Sequence, residues 1–317
     1  MCYFRIYYSC TFAFSMPNET TRSYAQLHLA VLLWGATGII GDVITLNALT
    51  LVWWRVLLTS VALAPFVGLA RMVGDLGRRQ LWIFAGLGVL VVMHWVTFYG
   101  SIKLANASVG LICLATTSLF SSILEPIIVG RPFSWLDTAV GLLILPGIYL
   151  ITQGVDASMT DGILVGLTSA LIVSLFTTLN KKYVDKADPL RIIFLELGAG
   201  AVFLTPFLFW FSGVFWPTAA DWVWLFVLAL LCTVFTNWLF LRALRVLSAF
   251  AANLTVNMEA VYGILLAYFL LDDAEELSPT FYLGTCVIVV AVFGYALLQR
   301  WLRARPRVPA GAMEEQT

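Results

Sequence analysis

The feature that most limits what this chain can become is a series of long apolar runs, each near the ~20 residues of a membrane-spanning helix. They fall at 25–43, 48–70, 80–100, 107–129, 134–152, 161–180, 190–212, 221–241, 248–270 and 280–301, bounded by charge, proline or glycine. The runs are continuous rather than alternating, which argues against an outer-membrane barrel. Apolar residues make up 61% of the 317 and charged residues 11%, against about 25% charged in a soluble domain. A soluble enzyme, a secreted disulfide scaffold and a disordered chain are excluded. The expected fold class is an all-α membrane protein with ten transmembrane helices.

The charges orient it. If both termini lie in the cytoplasm, every one of the 18 Lys and Arg residues except Lys103 and Arg55 falls on the inner side. Asp156, Asp161, Asp221 and the acids from Asp272 to Glu276 fall outside. That is the positive-inside pattern, and it sets the orientation; a bacterial inner membrane is the expected location. Ten spans divide into five and five. Five is odd, so the second half enters the membrane inverted, as in many secondary transporters. At one constant offset Phe98 meets Phe240, Lys103 meets Arg245 and Ala107 meets Ala249. The expected organisation is an N-terminal extension (1–24, disordered), a first five-helix repeat (25–152), a second (161–302) and a cytoplasmic tail (303–317).

Ionisable groups at membrane depth are costly and read as functional by default. Glu259 is the deepest acid, with Thr255 and Tyr262 on its helical face and Asn253 and Asn257 projecting elsewhere at about 100° per residue. Glu125 precedes Pro126 and shares a face with Ser118, Ser121 and Ser122. That stripe reads either as the wall of a watery path or as hydrogen bonds between helices. Glu196 and Asn180 lie toward the cytoplasmic ends of their spans, and Arg55 and His94 toward the outer ends. Gly35, Gly38 and Gly41 form a stripe suited to close helix packing, with Trp34 beside it. The candidate substrate or coupling residues are therefore Glu259, Glu125, Arg55, His94, Ser118, Ser122, Trp34, Tyr262, Glu196, Asn180 and Asn257.

Several signatures are missing from the sequence. It has no P-loop, no HExxH, no GxSxG and no Cys or His cluster at metal spacing. No catalytic residue, cofactor or metal is expected, and no nucleic acid partner. The five cysteines, Cys2, Cys10, Cys113, Cys232 and Cys286, form no Cys-x-x-Cys pair and read as small packing residues.

Taken in order, Trp34-Gly35, Leu51-Val52-Trp53-Trp54-Arg55, His94-Trp95, Ser101-Ile102-Lys103, Asn106-Ala107-Ser108-Val109, Ile123-Leu124-Glu125-Pro126, Glu196-Leu197 and Asn257 to Gly263 resemble the EamA-type transporters of the drug/metabolite transporter superfamily. The resemblance implies two inverted five-helix halves around a central cavity, and export of a small, amino-acid-like or drug-like metabolite by alternating access. Relatives often carry Glu-Pro in the ninth span as well as the fourth. Here Ala260 replaces that proline, which argues against a hinge at the second site. The expected partners are a small-molecule substrate and the lipid bilayer, with proton coupling left open by the buried acids. A lipid or lipid-linked flippase is the alternative, ahead of a membrane sensor or a membrane-embedded enzyme.

Overall fold

The computed structural model describes residues 19–105, 107–152, 159–209, 215–270 and 279–304. Among these residues the chain is helical, with no strand. The elements are α1 (Glu19–Val43), α2 (Ala48–Val67), α3 (Leu69–Asp75), α4 (Arg78–Leu104), α5 (Ala107–Val129), α6 (Trp135–Thr152) and α7 (Thr160–Tyr183). They continue as α8 (Pro189–Leu208), α9 (Ala219–Phe226), α10 (Thr236–Val246), α11 (Ala249–Val256), α12 (Met258–Leu270) and α13 (Pro279–Ala304). A widened π-helical stretch, Val227–Phe235, joins α9 to α10.

Six stretches among the described residues are long and apolar enough to cross a membrane: Ala48–Val67, Arg78–Ser101, Thr160–Lys186, Pro189–Leu208, Ala219–Val246 and Tyr282–Gln299. Cys113–Val129 and Trp135–Leu150 are shorter apolar helices. Large side chains such as Val61, Phe66, Ile127, Val202 and Leu297 point outward from these helices. In water that surface would be ruinous, and in lipid it is the solvated face. This is a multi-pass membrane protein.

Local chemistry sets the helix ends. Asn47 caps α2 by accepting from the Thr50 N–H at 3.0 Å, and Asp188 caps α8 through the Leu190 N–H at 2.9 Å. Ser248 caps α11 in the same way. The second apolar run, expected to reach residue 70, stops as a straight helix at Val67. Gly68 takes the left-handed conformation at φ 60° there, which only glycine adopts cheaply. Helix α1 starts at Glu19, so residues 19–24 are helical rather than part of a disordered extension. Residues 1–18 and 305–317, Asn106, Asp156 and the acids from Asp272 to Glu276 lie outside the described residues.

Two expected spans are not single straight helices. The eighth carries the π-helical stretch. The ninth is interrupted at Asn257, whose N–H bonds three residues back to Leu254 at 3.3 Å. The proline-bearing α5 runs unbroken through Pro126 to Val129, one turn from its end. The interruption therefore occurs in the helix without the proline.

The packing partners are specific. α1 lies against α10 and α12, α2 against α8, α4 against α7 and α8, α5 against α6, α7 and α11, and α6 against α13. Close approach uses glycine where it is needed. A Cβ on Gly35 would meet the Gly263 nitrogen at 2.8 Å, so α1 and α12 touch backbone to backbone. Gly41, on the same stripe, has open space around it. A Cβ on Gly88 of α4 would overlap the Glu196 carbonyl of α8.

Candidate functional site

A central cavity of about 110 Å³ sits where α1, α2, α4, α5, α7, α10, α11 and α12 converge. Aromatic rings make much of its apolar wall: Trp34, Trp95, Phe98, Tyr99, Phe176 and Phe240. Its polar groups are Arg55, Glu259, His94, Asn237, Asn253 and the Thr37, Thr117 and Thr177 hydroxyls. A larger hollow of about 590 Å³ opens near the chain ends, between α1 and α13. The smaller cavity is the better candidate site, because it brings an arginine and a carboxylate to one apolar space.

Arg55 is 5% exposed and held on three sides. Its Nε donates to Thr233 Oγ1 at 2.7 Å and an Nη to the Cys232 carbonyl at 3.1 Å. The guanidinium lies over the Trp95 ring, 4.5 Å from its centroid. Both acceptors belong to the π-helical stretch. Widening a helix turn redirects backbone groups outward, and here one redirected carbonyl meets a buried cation. The Thr233 hydroxyl donates to the Leu228 carbonyl five residues back at 2.7 Å, which fixes it as an acceptor for Arg55.

Glu259 faces the same cavity from α12. Among the described residues no donor hydrogen-bonds its carboxylate, and its electrostatic partner is Arg55. No ion pair within 4.0 Å joins the two, so acid and cation each keep bonding capacity for a third party.

His94 is placed by α7. Its Nδ1 lies 2.8 Å from Ser169 Oγ and 3.2 Å from the Ser169 carbonyl, while Ser169 Oγ donates to the His94 carbonyl at 3.0 Å. Two acceptors at Nδ1 assign the ring proton to that nitrogen and leave Nε2 as the uncommitted acceptor. Trp34 spends its indole N–H on Thr236 Oγ1 at 2.9 Å, so it offers the cavity a fixed apolar face.

Of the residues singled out from sequence, Arg55, His94, Trp34 and Glu259 line the cavity, and seven do not. The carboxylate of Glu125 is 1% exposed. It accepts from the Ala249 and Phe250 N–H groups at 2.9 and 3.0 Å and lies 3.1 Å from Arg131 Nε. It locks the start of α11 onto the end of α5, a charge against a helix N-terminus. Ser118 receives a long 3.4 Å bond from Asn257, and Ser122 bonds Thr138 of α6 at 3.1 Å. Ser121 bonds Ser174 at 2.8 Å and receives the Asn253 amide at 2.6 Å. The serine stripe stitches helices together. Tyr262 turns away to His28, whose Nδ1 is 2.9 Å from its hydroxyl. Glu196 and Asn180 lie buried together near the α7–α8 turn.

Straight-helix projection set Asn253 aside, but it lines the cavity together with Val256 and Glu259. Asn253, Val256 and Glu259 lie three residues apart, within an arc of about 120° on a regular helix, so the cavity takes in a wider face of this run than the one centred on Glu259. Thr117 was missed as well. The offset that pairs Phe98 with Phe240 pairs Thr117 with Glu259, and both line the cavity.

Apolar helices enclosing a cavity that holds an arginine and a carboxylate fit a membrane transporter. The chain belongs to the EamA-like transporter family, whose model matches it twice, over residues 22–153 and 160–297. An uncharacterized transporter of Archaeoglobus fulgidus is 24% identical over 269 residues, spanning 84% of this chain and 94% of that protein. A solved crystal structure shares the fold with a TM-score of 0.72 at 17% identity, over 89% of this chain and 99% of the other.

Proposed function

We propose that the protein is a secondary transporter that exports a small zwitterionic, amino-acid-like metabolite across the bacterial inner membrane by alternating access. One observation carries the reading: Arg55 and Glu259, opposite in charge and not joined in an ion pair, face one aromatic cavity. A cargo carboxylate suits Arg55, and a cargo ammonium suits Glu259. The rings of Trp95, Phe98 and Phe240 suit the remaining apolar part. Asn237 and Nε2 of His94 supply neutral hydrogen-bonding groups.

Alternating access needs two halves that rock, and an inverted repeat of five helices each supports it. The register of equivalent residues argues for that repeat. Trp95 and Asn237, Phe98 and Phe240, Leu114 and Val256, and Thr117 and Glu259 all stand at one offset, and all line the cavity. Packing partners exchange in the same sense: α4 with α7 corresponds to α1 with α10, and α5 with α7 to α1 with α12. Cytoplasmic termini follow from the distribution of Lys and Arg. Proton coupling would place a titrating carboxyl in the cycle.

The test is untargeted mass spectrometry of medium and cell extract from cells expressing wild type, Glu259→Gln or an empty vector at matched protein levels. The expected result is an amine-bearing acid enriched in the medium by wild type alone. Equal enrichment by Glu259→Gln would remove Glu259 from the mechanism. No enrichment by wild type would count against export.

A further inference from the structure

The polar pair near the α7–α8 turn lines neither of the two cavities described above, yet its side chains are not quietly satisfied. Asn180 is 0% exposed and Glu196 4%. The Asn180 carboxamide is the polar side chain beside Glu196. Neither Asn180 Oδ1 nor Nδ2 completes a hydrogen bond of proper geometry, and neither does Glu196 Oε1. Backbone seals the place: Gly88 of α4 presses directly on the Glu196 main chain.

An ionised carboxylate in that setting needs a cation, yet among the described residues no ion pair within 4.0 Å includes Glu196, and the buried or bonded cations around it have other partners. On α2, Arg55 is committed to Thr233 and Cys232. On α4, His94 is committed to Ser169. On α7, Lys181 donates to the Leu244 and Arg245 carbonyls at 2.7 and 3.1 Å. On α10, Arg245 donates to the Val184 and Ala187 carbonyls and Arg242 lies over Trp238. On α5, the carboxylate of Glu125 is taken by α11 and Arg131. On α8 itself, Arg191 pairs with Asp75 at 2.9 Å. A buried charge left uncompensated is strongly unfavourable, and a buried carboxyl escapes that cost by holding a proton.

We propose that Glu196 and Asn180 form a proton site separate from the cargo cavity, with the Glu196 carboxyl protonated in this conformation and its proton passed to water when the α7–α8 end opens. The acid O–H bond breaks, the proton leaves as hydronium and the carboxylate remains, donated to by the Asn180 amide. The proposal deepens the transporter reading and rests on it for the coupling, but not for the protonation.

Infrared difference spectroscopy of the purified full chain in lipid, between neutral and alkaline pH, reads the C=O stretch of a buried protonated carboxyl. The expected result is a band present in wild type at neutral pH, lost in Glu196→Gln, shifted in Asn180→Leu and retained in Glu259→Gln. A band unchanged in Glu196→Gln, or no such band in wild type, overturns the proposal. Asn180→Leu keeps the test alive if Glu196→Gln fails to fold, since an unshifted band there also overturns it. A second arm uses proteoliposomes and a labelled mixture of amino acids as probe. The ratio of pH-driven net uptake to exchange should fall about tenfold or more in Glu196→Gln. An unchanged ratio overturns the coupling. Wild-type liposomes that exchange no amino acid would instead sink the cargo reading, and the infrared band would still decide the proton site.

Discussion

Helices α2 and α8 are built on one plan and used in two ways. Each opens on a side-chain cap, Asn47 in one and Asp188 in the other. Each carries an internal proline, and Pro65 stands as far from Asn47 as Pro206 does from Asp188. Each buries one ionisable residue at the same distance from its cap, Arg55 in α2 and Glu196 in α8. Arg55 is gripped by two acceptors and a tryptophan face and is turned to the cavity. Glu196 faces a carboxamide with which it makes no proper hydrogen bond. A charge with fixed partners and a charge without them behave differently. In the reading proposed above, the first is a cation placed for a ligand and the second is a carboxyl that changes protonation.

Breaking the backbone contact under Glu196 should have the largest effect. Gly88→Val drives a branched side chain into the α8 main chain. We expect it to cost more than about 3 kcal/mol and to leave little folded protein, read as lost monodisperse material on size exclusion. Gly198→Ala, on α8 two residues beyond Glu196, meets only the Ser60 side chain, at 3.6 and 3.9 Å, and should fold normally. Next comes Arg55→Gln. It removes the cation while leaving a side chain able to reach Thr233, so transport should fall about 100-fold with the fold retained. Glu196→Gln should fold at least as well as wild type, since it removes a buried ionisable group without removing a partner. A large drop in thermal midpoint for Glu196→Gln would show that α8 grips its charge as α2 does.

Glu125→Ala is smaller and acts through stability. Two backbone N–H groups at the start of α11 lose their acceptor, and Arg131 loses one of its two ion-pair partners, keeping Asp137. A loss of about 2–4 kcal/mol is expected, seen as a lowered melting temperature in detergent. Thr117→Ala should change least. Its hydroxyl is buried without a hydrogen-bond partner, so losing it offsets the lost methyl packing and stability should move by about 1 kcal/mol or less. A strong transport defect in Thr117→Ala would bring the position opposite Glu259 into cargo binding.

Much of this was legible in the residues, for physical reasons. The apolar runs marked where helices lie, because lipid demands continuous apolar length. Caps such as Asp188 and Ser248 stand at the starts of α8 and α11, where the runs begin. Arg55 and Glu259 stood out because buried charge is expensive. What stayed hidden depends on local departures from regular helix. The π-helical stretch turns Thr233 and Cys232 toward Arg55, and no side-chain pattern announces it. The ninth run divides at Asn257 into α11 and α12; Asn253 lines the cavity, and Tyr262 bonds His28 instead. Glu125 reads as a cavity acid until α11 is seen to begin against its carboxylate. That contact joins residues more than a hundred positions apart, and local pattern cannot supply it.

The central claim is that the cavity between Arg55 and Glu259 holds the cargo. The most direct measurement is counterflow of a labelled amino acid mixture into proteoliposomes preloaded with the unlabelled mixture, for wild type, Arg55→Gln and Glu259→Gln. The account predicts accumulation by wild type and its loss in each variant, with all three proteins folded and equally reconstituted. Accumulation by both variants at the wild-type rate would contradict it and move the cargo to another part of the molecule.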